Sequence, residues 1–247
     1  MCCFSGPVEK VTNTGIFARP GEGNRQLLAY GMSVSTAKDV AMILPLPTAP
    51  GTGEGGVRFI DLKGYEGLFQ DLAELFVERS KGARGAFAES GAGTKALAVQ
   101  SVGDFEASFV PALKDFARLD ARFRLSDEVW KALPQYASYG FGVFKLKPGA
   151  GSVHPMAFEF PRADSTRLFF PTVHVHDGKA HATAAFDHSL YFQRVARKPE
   201  VPKGWVESPV PAGGYVRSEQ TKGLVDRNGH VYRKVMKGEQ KNADQWV

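Results

Sequence analysis

The stretch DVAMILPLP, Asp39 to Pro47, decides how this chain is to be read. Met42, Ile43 and Leu44 are apolar in succession. Side chains along a strand point to opposite faces in turn, so a strand with one wet face alternates apolar and polar residues. An unbroken apolar run indicates a strand covered on both faces. Pro45 and Pro47 are expected to end it, because proline has no N–H to give to a ladder.

The flanking sequence extends the β pattern. VEKVTNTGIFAR, Val8 to Arg19, and RQLLAYGMSV, Arg25 to Val34, read as strands, with Asn-Thr-Gly as a turn signal inside the first and PGEGN as the turn between them. TAPGTGEGG, Thr48 to Gly56, is a loop, and no Lys-Ser or Lys-Thr follows it as a P-loop requires. After the short strand VRFIDL, Leu68, Leu72, Leu75 and Phe76 share one face of an amphipathic helix. SKGARGAFAESGAGTK, Ser80 to Lys95, is expected as a mobile glycine-rich loop. Phe105, Phe109, Leu113 and Phe116 fall at helical spacing, and Ser126 with Asp127 and Glu128 opens a short helix broken near Pro134. From Tyr139 onward strands return in GFGVFKLKP, MAFEFP, RLFFPTVHVHDG and AHATAAFDHSLYFQRV. The pattern predicts an α+β fold with a mainly antiparallel sheet and two or three helices. A core domain at 1–198 would be followed by basic C-terminal hairpins or a tail at 199–247.

Composition narrows the function classes. With 247 residues, 43% hydrophobic and 23% charged, the chain reads as an ordinary soluble protein. No run approaches the roughly 18 apolar residues of a membrane span, and MCCFSGPVEK lacks the basic start and apolar stretch of a secretory signal. A cytoplasmic protein is expected, with a small molecule or a protein as partner and no membrane. The net charge of +5 is concentrated late, at Lys222, Arg227, Arg233, Lys234, Lys237 and Lys241. No aromatic-studded RNA motif or recognition helix accompanies it, so it reads as a solvated basic end and not a nucleic-acid surface. The only two cysteines are adjacent, and neighbouring Cα atoms, about 3.8 Å apart, are too close for an ordinary bridge. A disulfide scaffold is excluded, which suits a reducing compartment.

Two groups of residues could carry chemistry. His174 and His176 stand two apart in FPTVHVHDG, so on a strand both point the same way. A turn near Asp177-Gly178 brings back His181 or His188, which differ in parity, so one of the two can share that face. His188, within the apolar FDHSLYF, is the favoured third member, and Asp177 could orient a histidine from behind. Three imidazoles at His174, His176 and His188, with Cys2 or Cys3 as possible thiolate ligands, would suit a transition metal such as zinc or copper. With an open position the metal could activate water for hydrolysis or bind oxygen. The alternative reading of the histidines is a sheet face that happens to carry imidazoles.

The second group is the start of the chain. Removal of Met1 would leave Cys2 with a free α-amine beside its thiol, a known way to activate a nucleophile, and Arg19 could lower the thiol pKa. A Cys at position 2 with Arg19 closing an early strand resembles the start of the N-terminal-nucleophile amidohydrolases, bile-salt-hydrolase-like enzymes among them. The match is those two residues; Pro20-Gly21-Glu22 stands where the family has an Asn-Asp segment. That resemblance implies an amidohydrolase with Cys2 as nucleophile. No serine lies in a Gly-x-Ser-x-Gly elbow. A third reading is a non-enzymatic protein-binding module. Over about the first three-quarters of the chain, Met42 to Pro47, Tyr136 to Leu146 and His154 to Pro171 are also similar to a bacterial family of unknown function. Those motifs are apolar and turn residues, so that likeness implies a fold and no activity.

Overall fold

The structure, a computed structural model, describes residues 3–77, 100–102, 105–194 and 200–247. Its strands are β1 (Cys3–Phe4), β2 (Lys10–Pro20), β3 (Arg25–Thr36), β4 (Val40–Leu46), β5 (Arg58–Asp61), β6 (Gln100–Val102), β7 (Phe105–Val110), β8 (Gly140–Leu146), β9 (Gly149–Pro161), β10 (Phe169–Phe170), β11 (Thr183–Phe192), β12 (Val206–Glu207), β13 (Tyr232–Lys241) and β14 (Gln245–Trp246). Two short α-helices, α1 (Leu68–Glu74) and α2 (Asp127–Ala132), and several 3-10 turns join them. The strands form a five-stranded sheet in the order β1-β4-β8-β7-β6 and a seven-stranded sheet in the order β12-β13-β11-β2-β3-β9-β5; β10 and β14 pair separately. Every pairing is antiparallel except that of β11 with β2. The class is α+β with antiparallel-dominated sheets.

The two sheets pack face to face over one apolar cluster. Met42 and Leu44 of β4 and Phe144 of β8 meet Ile16 of β2, Leu28 of β3, Phe158 of β9 and Leu190 of β11 there. The outer face of each sheet is covered as well. Ala41 and Ile43 of β4 and Phe141 of β8 pack under Phe116, Val129 of α2 and Tyr136. Phe17, Leu27 and Tyr191 of the seven-stranded sheet pack under Leu68 and Leu72 of α1 and under Leu224 and Val225. β4 is therefore buried at all seven positions, as its unbroken apolar run requires. Each large apolar side chain so enclosed contributes roughly 1.5–3 kcal/mol.

Pro45 does not end β4; it pairs with Phe141 and stays in the strand. On its other side β4 is met by β1 only at Met42 and Ile43. Past those residues β4 is an edge among the described residues, where a missing N–H is tolerated. The Asn-Thr-Gly signal is likewise not a turn between strands. β2 runs through it, with a register shift against β3 between Thr12 and Gly15 and with Asn13 left-handed at φ 54°. This is a bulge, and the Asn13 N–H donates to Asp187 Oδ2 at 3.0 Å.

Phe105 and Phe109 lie on a strand, β7, and not on a helix. A spacing of four falls on one face of either element, and here Phe105, Ala107 and Phe109 all enter the core between the sheets. Leu113 and Phe116 follow on a separate 3-10 turn. The first helix is shorter than its pattern, yet Leu75 and Phe76 still pack in the outer core beyond its end. Gly15 and Gly31 face each other across β2 and β3, and the ring of Phe69 lies over both. A Cβ at Gly31 would come within 2.6 Å of that ring, so the two glycines form the slot that seats α1. The loop expected at Ser80–Lys95 lies outside the described residues.

Residues 200–247, expected as basic hairpins or a tail after a core domain at 1–198, contribute β12, β13 and β14. β13 pairs with β11 over ten residues, and Leu224, Val225 and Val231 are buried in the outer core. No helix among the described residues is long and apolar enough to cross a membrane.

Candidate functional site: a stack of buried histidines

The segment 171–176 is extended but has no regular ladder. Val175 makes a single parallel bridge to Cys3, and the Phe4 N–H donates to the Val175 carbonyl at 3.0 Å. Val173 and Val175 enter the outer core of the five-stranded sheet. His174 and His176 project the other way, as their spacing predicts. His188 sits on β11 between Phe186 and Leu190, which both face the core between the sheets, and is 1% exposed.

The three rings meet. His174 stacks on His176 with centroids 5.2 Å apart and planes 12° from parallel, and on His188 at 5.1 Å and 20°. Phe186 packs on His174 at 4.3 Å, and Phe4 packs edge-on to His176 at 5.5 Å. Burial pushes the His174 pKa down to about 2 and that of His176 down to about 4. The pKa of His188 is lowered by the same cause, so all three rings are neutral near pH 7. The Nε2 atoms of His174 and His176 are buried and find no hydrogen-bond partner among the described residues.

This arrangement corrects the expectation of a metal centre. Among the described residues no group of three His, Cys, Asp or Glu is placed to hold a metal ion. An imidazole binds a metal through a nitrogen lone pair in the plane of its ring. Stacked, nearly parallel planes send those lone pairs side by side, whereas a tetrahedral site needs them to converge. Cys3 is 0% exposed and belongs to the outer core with Ile43 and Tyr136, while its neighbour Phe4 takes the histidine side. The Cys3 side chain therefore turns away from the stack. Cys2 lies outside the described residues. Asp177 does not support the stack from behind; it pairs at 2.9 Å with exposed His181.

Arg19 and β1 belong to different sheets. Arg19 follows Phe17 by two residues on β2 and so shares the outer face of the seven-stranded sheet. Its guanidinium donates to the Gly223 carbonyl at 3.0 Å and lies in the field of Asp226 and Glu159. Cys3 packs on the outer face of the opposite sheet. Arg19 and Cys3 thus lie on the outer faces of different sheets.

Other buried polar residues gave little signal in the sequence. His154, expected at a surface turn, is buried on β9 with its ring 4.4 Å from that of Phe105. Glu159, expected at a strand surface, accepts from Arg58 at 3.0 Å and pairs with Arg25 at 3.4 Å. Asn242 and Asp244 bond the backbone of 172–174 through their side chains. Nothing in KNADQ announces this, because an amide and a carboxylate two residues apart are ordinary surface residues.

No protein-family model matches the chain. The bacterial likeness of Met42 to Pro47, Tyr136 to Leu146 and His154 to Pro171 therefore stands on its motifs alone. Solved structures do match. The crystal structure of baculovirus P35 superposes with a TM-score of 0.50 at 12% identity, over 99% of this chain and 98% of that one. A mutated baculovirus P35 after caspase cleavage and a caspase-8/P35 complex align with TM-scores of 0.47, at 15% and 13% identity, over 98% and 95% of both chains. At such identity the likeness is one of fold. The fold gives the expected metal-dependent hydrolase no support: among the described residues no group of three His, Cys, Asp or Glu is placed to hold a metal ion, and Arg19 and the N-terminal strand lie on different sheets.

Proposed function

We propose that this chain is a non-enzymatic protein-binding protein whose partner is a protease of the caspase class. The carrying observation is the end-to-end match of fold with baculovirus P35, over 99% of this chain and 98% of that one, since P35 is also seen bound to caspase-8. An architecture matched over nearly the whole of both chains fits a scaffold whose surface meets another protein. A small exposed apolar surface supports the same reading. Val206 on β12 and Val235 on β13 are 58% and 48% exposed, and Val206 pairs with Arg233, two residues from Val235 and on the same face. Exposed apolar groups rimmed by charge are common where proteins meet.

The test is a binding panel. The chain is mixed with active caspase-8, a papain-type cysteine protease and a trypsin-type serine protease, and each mixture is run on size exclusion with intact mass of every peak. Co-elution with caspase-8 and not with the serine protease is the expected result. No co-elution with any protease, with the chain left intact, removes the reading.

A further inference from the structure

The segment that carries His174 and His176 borrows its backbone partners from three consecutive residues. The His174 N–H donates to Asn242 Oδ1 at 2.7 Å, and Asn242 Nδ2 donates back to the His174 carbonyl at 2.9 Å. The Thr172 and Val173 N–H groups donate to Asp244 Oδ1 at 2.8 and 3.3 Å. Thr172 Oγ1 donates to the Ala243 carbonyl at 2.8 Å. Side chains here do what a neighbouring strand would otherwise do. Segment 171–176 in turn supplies one flank of β1, through Val175, while β4 supplies the other through two residue pairs.

These contacts form a chain of dependence from residues 242–246 to Cys3. Each link is short. β14 pairs with β10 at two positions, and the Tyr136 hydroxyl anchors Asp244 at 2.6 Å. The Asn242 N–H donates to the Ala182 carbonyl at 2.9 Å. The sheets beside these links are held by far longer ladders, ten residue pairs between β11 and β13 and seven between β4 and β8. Short ladders closed by single side chains open at lower free energy than long ones.

We propose that residues 242–246 are a latch: when it opens, segment 171–176 and β1 leave together and expose the Cys3 thiol, while the seven-stranded sheet and the β4-β8-β7-β6 remainder of the other stay folded. Entry to the N-terminal strand is then governed from the other end of the sequence. The Asp244 carboxylate is turned inward, and burial raises its pKa, so the closed latch holds a group that water would solvate better in its charged form.

The experiment uses the full chain with Cys2→Ser, so that Cys3 is the only thiol. Labelling by a small maleimide is followed by intact mass under native conditions. Asn242→Ala removes the paired bonds to His174, and Tyr136→Phe loosens Asp244 more mildly. Gly15→Ala serves as control, because it strains the outer face of the opposite sheet and leaves the latch untouched. Either latch variant is expected to speed Cys3 labelling by about tenfold or more, as loss of a buried hydrogen bond implies, with the folding signal unchanged. Gly15→Ala is expected to leave the rate near that of the parent. The inference is overturned if both latch variants label at the parent rate. It is equally overturned if all variants speed labelling in proportion to their loss of global stability, since the thiol is then reached by whole-molecule unfolding. Should Asn242→Ala fail to fold, Tyr136→Phe and amide exchange of the parent decide. Phe4, Thr172, Val173 and His174 must exchange together and ahead of the β11 amides.

Discussion

Acidification should destabilise this protein through the histidine stack, by an amount the structure lets one work out. An unfolded imidazole titrates near pH 6.5. In the fold, burial holds His174 down to about 2 and His176 down to about 4, and lowers His188 in the same direction. Between those values and about 6.5 the unfolded chain binds protons that the folded chain refuses, so stability falls as the pH falls. The contribution is complete above about pH 6.5 and is lost progressively below it. At about pH 5 each neutral imidazole costs about 2 kcal/mol, being roughly one and a half pH units below its unfolded value. Three such groups sum to about 6 kcal/mol, and partial access of water to His176 brings the expectation to about 3–5 kcal/mol. Asp244 acts with the opposite sign. Its raised pKa favours the acid form in the fold, so its contribution grows as the pH falls and offsets part of the loss at the acidic end. Urea unfolding followed by tryptophan fluorescence, at steps between about pH 7.5 and pH 5, measures the slope. A His174→Phe, His188→Phe variant keeps an aromatic ring at each position but takes up no proton, and should flatten that slope by more than half. A parent whose stability is level across the range, or a variant with the parent's slope, would falsify the neutral stack.

Three further outcomes follow from particular contacts. Gly15→Ala places a Cβ against the Phe69 ring and is expected to cost about 1–3 kcal/mol in urea unfolding. Phe69→Ala should make the same change nearly harmless, so additive losses in the double variant would contradict the slot. Glu159→Gln leaves Arg25 and Arg58 without their shared carboxylate and should lower stability by about 1–2 kcal/mol. That loss should shrink in about 1 M salt, and a loss unchanged by salt would mean packing, and not charge, is what Glu159 supplies.

Much of the architecture was legible because period-two arguments survive in a layered protein. The run at Met42 to Leu44 required cover on both faces, and β4 has it. Parity put His174 and His176 on one side and allowed only one of His181 and His188 to join them; the apolar surroundings in FDHSLYF pointed to His188, and those three rings meet. What parity cannot supply is the angle between ring planes, which Phe186 and Phe4 set by packing; converging and stacked imidazoles look alike in sequence. Phe105 and Phe109 misled because a spacing of four suits a helix and a strand alike. β13 was hidden for another reason. In YRKVMKGEQK the buried positions are Tyr232 and Met236, and the lysines between them suit a strand largely open along its outer edge, where charge discourages further pairing. Arg19 could be joined to the start of the chain by analogy, but that β1 and β2 belong to different sheets could not be foreseen from two residues.

Titration of caspase-8 activity tests whether the chain is, as proposed, a protein ligand of a protease. The chain is added in steps to active-site-counted caspase-8, and hydrolysis of a fluorogenic peptide is read after each addition. The expected result is a loss of activity that completes near one chain per active site and persists on dilution. Full caspase activity at a large molar excess of the chain, with no complex on size exclusion, contradicts the proposal.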